Sequence, residues 1–279
     1  YTRFIHALEK DGKLNRELEF LPTDEALAER MVKGQGLTRP EMSILTAYGK
    51  MVLKEQLVTP EVSEAPYFKQ LLLGAFPSVL VDKFAAEMET HPLKAEIIAT
   101  KLANMLVNDM GANFVQRMME ETGSSVSEVA ISYAISRELF DLPGIWSKLE
   151  ALDTAIPAEL QTRLLFQLRR TMRRVTRWFL RHRNKSLSIA DTVAFFKPAL
   201  DRVSVKLDTL LARAEADSLS LYAQKLQEQQ VPAEVAAYMA QLSTVFSVMD
   251  IAQVAAAEQA DLLLVAEIYF KLGDKLDLH

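Results

Sequence analysis

The sequence predicts an all-α protein: a multi-helix bundle around a buried central helix at about residues 92–122, with a second, smaller helical subdomain. Three observations carry this expectation. Apolar residues recur three and four positions apart through most of the chain, the spacing of a helix with one buried face. Capping residues, prolines and glycines punctuate those runs at helical lengths. No segment combines strict apolar–polar alternation with the turn residues of a hairpin.

The central stretch is PLKAEIIATKLANMLVNDMGANFVQRMMEETG, Pro92 to Gly123. Ala99, Ala103, Val107, Met110 and Phe114 share one side, and Ile98, Leu102 and Leu106 lie beside and behind them. A helix apolar over most of its circumference is buried, with other helices on several sides. Pro92 suits the first helical position and Gly123 the residue just past the end. Within the apolar surround, Thr100, Asn104 and Asn108 form a candidate buried polar row. Buried amides are stable when hydrogen-bonded, so the row either ties the helix to neighbouring loops or faces a ligand or partner.

In chain order, Tyr1 to Leu21 reads as two short amphipathic helices broken at Asp11-Gly12. Thr23 caps a helix whose first turn carries Asp24 and Glu25, where carboxylates suit the dipole; Gly34 and Gly36 end it. Leu37-Thr38-Arg39-Pro40-Glu41-Met42 has capping-box spacing at Thr38 and Glu41, with Leu37 and Met42 placed for a hydrophobic staple. The helix that follows stops before Thr59-Pro60, and short segments punctuated by Pro66, Gly74 and Pro77 lead to the central helix. Ser125 and Glu128 form a second capping box for a helix to Phe140. Asp141-Leu142-Pro143-Gly144 turns into a short helix carrying Trp146, and Pro157 opens a long helix to about Arg183. The polar segment Asn184 to Ser188 marks the expected boundary between domains 1–185 and 186–279. Beyond it, Pro198, Pro232 and Gly273 are expected to divide the chain into four or five further helices.

At 279 residues the chain is long enough to bury a sizeable core. With 32 Lys and Arg against 37 Asp and Glu it carries a net charge of −5, which exerts no global pull towards nucleic acid or anionic membrane. The absence of cysteine excludes disulfides, thiolate metal sites and cysteine nucleophiles and fits a reducing cytoplasm. No apolar run approaches the roughly 20 residues of a membrane helix. The start, YTRFIHALEK, lacks the shape of a signal peptide and enters in mid-pattern, as a piece of something longer would.

Local signatures of catalysis are missing. Gly34-Gln35-Gly36 lacks the third glycine, the preceding strand and the lysine of a phosphate-binding loop, and reads as a helix stop. His6, His91, His182 and His279 are far apart, without a carboxylate or second histidine at zinc-ligand spacing. No catalytic, cofactor-binding or metal residue is therefore assigned. The strongest charge feature lies between Pro157 and Arg183. At about 100° per residue, Arg163, Arg170, Arg174, Arg177 and Arg181 share one face with Arg173 on its flank, opposite Leu164, Leu168, Met172, Val175 and Phe179. Such a stripe suits paired carboxylates of another helix, domain or subunit. The alternative is a free-standing nucleic-acid-binding or scaffold module using the Arg163–Arg183 face, against which stand the acidic net charge and little aromatic interleaving beyond Trp178.

Several multi-residue blocks carry a resemblance in consistent order and spacing. LTRPEMSILTAYGKMVL (Leu37 to Leu53), EIIATKLANMLVNDMG (Glu96 to Gly111), FVQRMMEETG (Phe114 to Gly123), the Phe140-Asp141-Leu142 turn and TRWFLRHR (Thr176 to Arg183) resemble the C-terminal region of the large bacterial NAD-specific glutamate dehydrogenases. The match runs through roughly the first two thirds of the chain; after Ser186 it is looser, although Tyr269 to His279 still resembles a family stretch. The resemblance implies a parent oxidoreductase that converts L-glutamate, NAD and water to 2-oxoglutarate, ammonia and NADH. This chain would be its non-catalytic helical domain, serving packing, assembly or regulation. Its implied partners are the catalytic domain of the same polypeptide and further copies in a homo-oligomer, in the cytoplasm and away from membranes. NAD belongs to the parent, with no cofactor in this chain.

Overall fold

The computed structural model describes residues 1–276 and contains, among the described residues, 16 α-helices, one 3-10 turn and no strand. Its contacts separate into two compact units, Tyr1 to Ile131 and Ser132 onward. The division falls inside α9 (Val126–Leu139), whereas Asn184 to Ser188 joins two helices of the second unit.

The first unit contains α1 (Thr2–Lys10), α2 (Asp24–Val32), α3 (Arg39–Gln56), the short α4 (Pro60–Ser63) and α5 (Lys69–Leu73), α6 (Ser78–Glu89), α7 (Lys94–Met110) and α8 (Phe114–Thr122). It is organised around α7, which packs against α3, α4, α5 and α8. The buried face of α7 is Ile98, Ala99, Leu102, Ala103, Leu106 and Val107, met by Leu45 and Leu53 of α3 and by Val62 and Leu72 in the core. Burying each such branched side chain contributes roughly 1.5–3 kcal/mol before the entropy of ordering it.

The single helix expected over 92–122 is broken in two. Gly111 ends α7 with φ 95° and ψ 158°, a conformation that costs a residue with a Cβ far more than glycine. The elbow is pressed against α3: a Cβ on Gly49 would lie 3.1 Å from that of Ala112 and 3.3 Å from Phe4 Cζ. Continuous helical periodicity on both sides of Gly111 concealed this break. The left-handed C-cap expected at Gly123 closes α8, with φ 68°.

Both predicted capping boxes form. The Glu41 carboxylate accepts the Thr38 N–H at 2.7 Å, and Glu128 accepts the Ser125 N–H at 2.8 Å. Glu41 is also buried, and accepts two hydrogen bonds from Arg30 Nη1 at 2.8 and 3.0 Å. One box therefore doubles as a tie between α2 and α3. The second short helix expected before Leu21 does not form. Residues 11–20 are turns and irregular backbone, in which Asn15 Oδ1 accepts the Leu18 N–H and Arg16 bridges Glu9 at 2.7 Å and Asp24 at 2.8 Å. These local side-chain bonds compete with the helical ladder, while Leu14 and Leu21 still reach the core.

The second unit contains the remainder of α9, α10 (Leu142–Glu150), α11 (Ala158–His182), α12 (Ile189–Leu210), α13 (Arg213–Glu228), α14 (Ala233–Val245), α15 (Val248–Ala257) and α16 (Leu262–Leu276). α11 packs on α10 and α14, and α12 meets α13, α14, α15 and α16. Pro198 and Gly273 lie inside α12 and α16 rather than dividing them. A proline inside a helix removes one backbone bond and crowds the carbonyl four residues back. Here Pro198 and Ala194 are both exposed, so water reaches that carbonyl, while Phe196, Ala199, Leu200 and Val203 hold the inner face.

Polar side chains fasten these helices. Gln167 of α11 donates from Nε2 to the Met239 carbonyl at 2.8 Å and accepts from the Tyr222 hydroxyl at 3.1 Å. The Tyr238 hydroxyl donates to the Phe140 carbonyl at 2.6 Å; burial pushes its pKa up, assisted by the charge of Asp141. No single helix among the described residues is long and apolar enough to cross a membrane.

Candidate interaction surface

The helix α11 combines a buried face with a cationic one. Leu160, Leu164, Leu168, Met172, Val175 and Phe179 face the core. Pro157 stands immediately before the first turn, and Arg181 and His182 lie in the last turn, where positive charge suits the dipole. On the other side Arg163, Arg170, Arg174, Arg177 and Arg181 are exposed and Arg173 is half-buried. Arg163, Arg170, Arg174, Arg177 and Arg181 thus lie along one exposed face of a single helix, with Arg173 on its flank.

Arg174 is partly anchored within the unit: its guanidinium carbon lies 4.4 Å from the centroid of the Phe246 ring, an attractive cation–π geometry. Arg163, Arg170 and Arg181 carry no ion pair among the described residues.

The aromatic residue of this face is Phe166, not Trp178. Phe166 is 62% exposed, whereas Trp178 is 6% exposed. Phe166 stands three residues after Arg163 and four before Arg170, so the same helical count that finds the stripe also finds the phenyl. Trp178 turns inward, donates Nε1–H to Asp250 Oδ1 at 2.8 Å, and packs edge-on against Phe196 at 5.6 Å between ring centres. Beside the stripe, Arg169 stacks over Trp146 at 5.0 Å.

The polar row on α7 is not buried. Thr100 and Asn108 are exposed and Asn104 is half-buried. The apolar arc of α7 is narrower than the sequence suggested, and the row lies outside it. Thr100 Oγ1 returns to the Glu96 carbonyl at 2.6 Å, a bond within its own helix. The row and the arginine face belong to different units.

The histidines lie in local settings. His6 Nε2 is 2.8 Å from the Asp24 carboxylate, which Arg16 and then His6 hold below the usual carboxylate range. His91 Nδ1 accepts the Leu93 N–H at 3.1 Å, and His182 Nδ1 lies 3.0 Å from the Trp178 carbonyl. His279 is outside the described residues. Among the described residues, no three His, Asp or Glu side chains are grouped to hold a metal ion.

The described residues form an all-helical fold in which one long helix carries an arginine-rich exposed face. The model of the family described as "Glutamate dehydrogenase, C-terminal" matches residues 34–279, and the chain belongs to that family. It is similar to the NAD-specific glutamate dehydrogenase of Pseudomonas aeruginosa, 42% identical over 278 residues, and to that of Halomonas elongata, 39% identical over 278 residues. In each case the match covers 100% of this chain. The Mycobacterium tuberculosis NAD-specific glutamate dehydrogenase is 30% identical over 277 residues, covering 98% of the chain. The chain spans 17% of the length of these relatives. The free-standing nucleic-acid-binding or scaffold alternative finds no support in these matches.

Proposed function

We propose that this chain is the non-catalytic C-terminal helical domain of an NAD-dependent glutamate dehydrogenase, an oxidoreductase converting L-glutamate, NAD and water to 2-oxoglutarate, ammonia and NADH. The observation that carries this reading is similarity along the whole chain to NAD-specific glutamate dehydrogenases, each of which the chain covers only in part. In this reading the dinucleotide and the reacting amino acid bind elsewhere on the polypeptide, in the cytoplasm. The helical domain packs on the catalytic domain or joins subunits of a homo-oligomer through the arginine face of α11. Exposed guanidinium groups on a rigid helix suit carboxylates on such a surface, and Phe166 supplies an apolar contact between Arg163 and Arg170.

The test is charge reversal at Arg163 and Arg170 together in the full-length protein. These two are chosen because Arg174 also packs on Phe246. The expected result is weaker assembly by light scattering, or slower glutamate-dependent NADH formation, with unchanged helical content. Unchanged assembly and kinetics would remove the arginine face from the proposal. NADH formation by the 279-residue chain alone would overturn its non-catalytic assignment.

A further inference from the structure

The second unit contains a cavity of about 220 Å³ between the Leu139–Asp141 turn, α12 and α14. Its walls include Leu200, Leu242 and Val245, all at least nine-tenths buried. At roughly 30 Å³ per molecule in the liquid, this space corresponds to about seven waters, and so admits a ligand of metabolite size.

The polar groups are unevenly matched. Lys197 Nζ is 2.9 Å from Asp201 Oδ1, so that cation is balanced within the wall. Asp141 has no ion-pair partner among the described residues; its carboxylate accepts only the Gly144 N–H, at 3.3 Å. The Tyr238 hydroxyl spends its proton on the Phe140 carbonyl and presents an oxygen acceptor. Gln241 and Ser204 make no hydrogen bond among the described residues. Acceptors outnumber donors, and the formal charge of the lining is one carboxylate in excess.

The turn at the cavity edge is strained. Asp141 sits at φ 43° and ψ 48°, a left-handed conformation that is sparsely populated by residues other than glycine and concentrates at functional sites. The Tyr238–Phe140 bond holds the turn there.

We propose that this cavity binds a small organic ammonium ion with an apolar body, its nitrogen held at the Asp141–Tyr238 end and its hydrocarbon against Leu200, Leu242 and Val245. The ligand is donor-rich where the wall is acceptor-rich, cationic where the carboxylate is unbalanced, and apolar elsewhere. An anion would meet the Asp141 charge, which stands exposed to solvent at the cavity edge. Alcohols fill the same volume without answering that charge.

The test uses the full-length protein, isopentylammonium chloride as the probe and isopentanol as its neutral counterpart, measured by isothermal titration calorimetry. The wild type should bind the ammonium about three- to fivefold more tightly than the alcohol, because only the cation pairs with the exposed Asp141 carboxylate. Asp141→Asn keeps a capping residue that tolerates the left-handed region and should weaken ammonium binding by about three- to fivefold. Leu242→Trp fills the cavity and should abolish it. Circular dichroism separates lost binding from lost structure, and Asp141→Asn carries the test if Leu242→Trp fails to fold. Absence of ammonium binding by the wild type, equal binding of the alcohol, or unchanged binding in Asp141→Asn would overturn the proposal. The readout is binding, so its outcome is separate from that of the dehydrogenase reading.

Discussion

The indole Nε1–H of Trp178 donates to Asp250 Oδ1 at 2.8 Å, joining α11 to α15 through a carboxylate inside the second unit. Asp250→Ala leaves a largely buried indole donor without its partner, a loss of about 1–3 kcal/mol. Trp178→Phe removes the donor as well and retains an aromatic ring beside Phe196. Urea unfolding followed by circular dichroism should show the Asp250→Ala midpoint falling, with the double variant less destabilised than the sum of the singles. Strict additivity would mean that the two side chains do not interact.

At the α7–α8 elbow, Gly111→Ala forces a Cβ onto a residue at φ 95°. The expected cost is about 1–3 kcal/mol. Gly49→Ala places a methyl 3.1 Å from the Ala112 Cβ, an overpacking expected to cost about 1–3 kcal/mol. Both appear as lowered thermal midpoints. A melting temperature unchanged in both would show that the elbow relaxes freely.

The Glu41 carboxyl is held below the usual glutamate range, chiefly by its hydrogen bond from Arg30 and further by the Thr38 N–H. Its pKa in the folded protein is therefore below the unfolded value of about 4.3. The stabilisation it provides is present above that unfolded value and is lost as pH falls through the folded one. Glu41→Gln should lower stability near neutral pH and flatten the acid limb of a stability–pH curve. A parallel, uniformly displaced curve would mean that this carboxylate does not titrate differently on folding.

Phe166 is 62% exposed on a helix whose buried face is elsewhere. Phe166→Ser should therefore change stability within about 0.5 kcal/mol, yet weaken any docking that uses the arginine face. Thermal unfolding and light scattering of the full-length protein check the two halves separately. A large loss of stability would place Phe166 in the fold instead of the docking surface.

Helix existence was legible because capping and periodicity are local. Thr38 with Glu41, Ser125 with Glu128 and the spacing of the α11 arginines each needed only neighbouring residues to be read. Breaks were less legible. Gly111 interrupts an unbroken apolar pattern, and its reason lies on α3 at Gly49, more than fifty residues away. Pro198 misled in the opposite direction, since the packed side chains around it hold α12 together despite the missing bond. Thr100 and Asn108 read as buried because a helical wheel shows which residues share a side but not how wide an arc its neighbours cover. Phe166 was within reach of the same count that found the arginines, whereas the cavity beside Asp141 depends on three separated segments meeting and left no local pattern.

The two bonds of Gln167 have a consequence for which residues that position accepts. One end of its side chain must give a proton to the Met239 carbonyl while the other receives one from Tyr222. Glutamate has the same shape but, when ionised, offers lone pairs at both ends, so it would set a carboxylate against a carbonyl oxygen. Leucine would fill the space and leave both partners unanswered. Position 167 is thus a checkpoint read by chemistry instead of size: an amide passes, and its nearest isosteres do not.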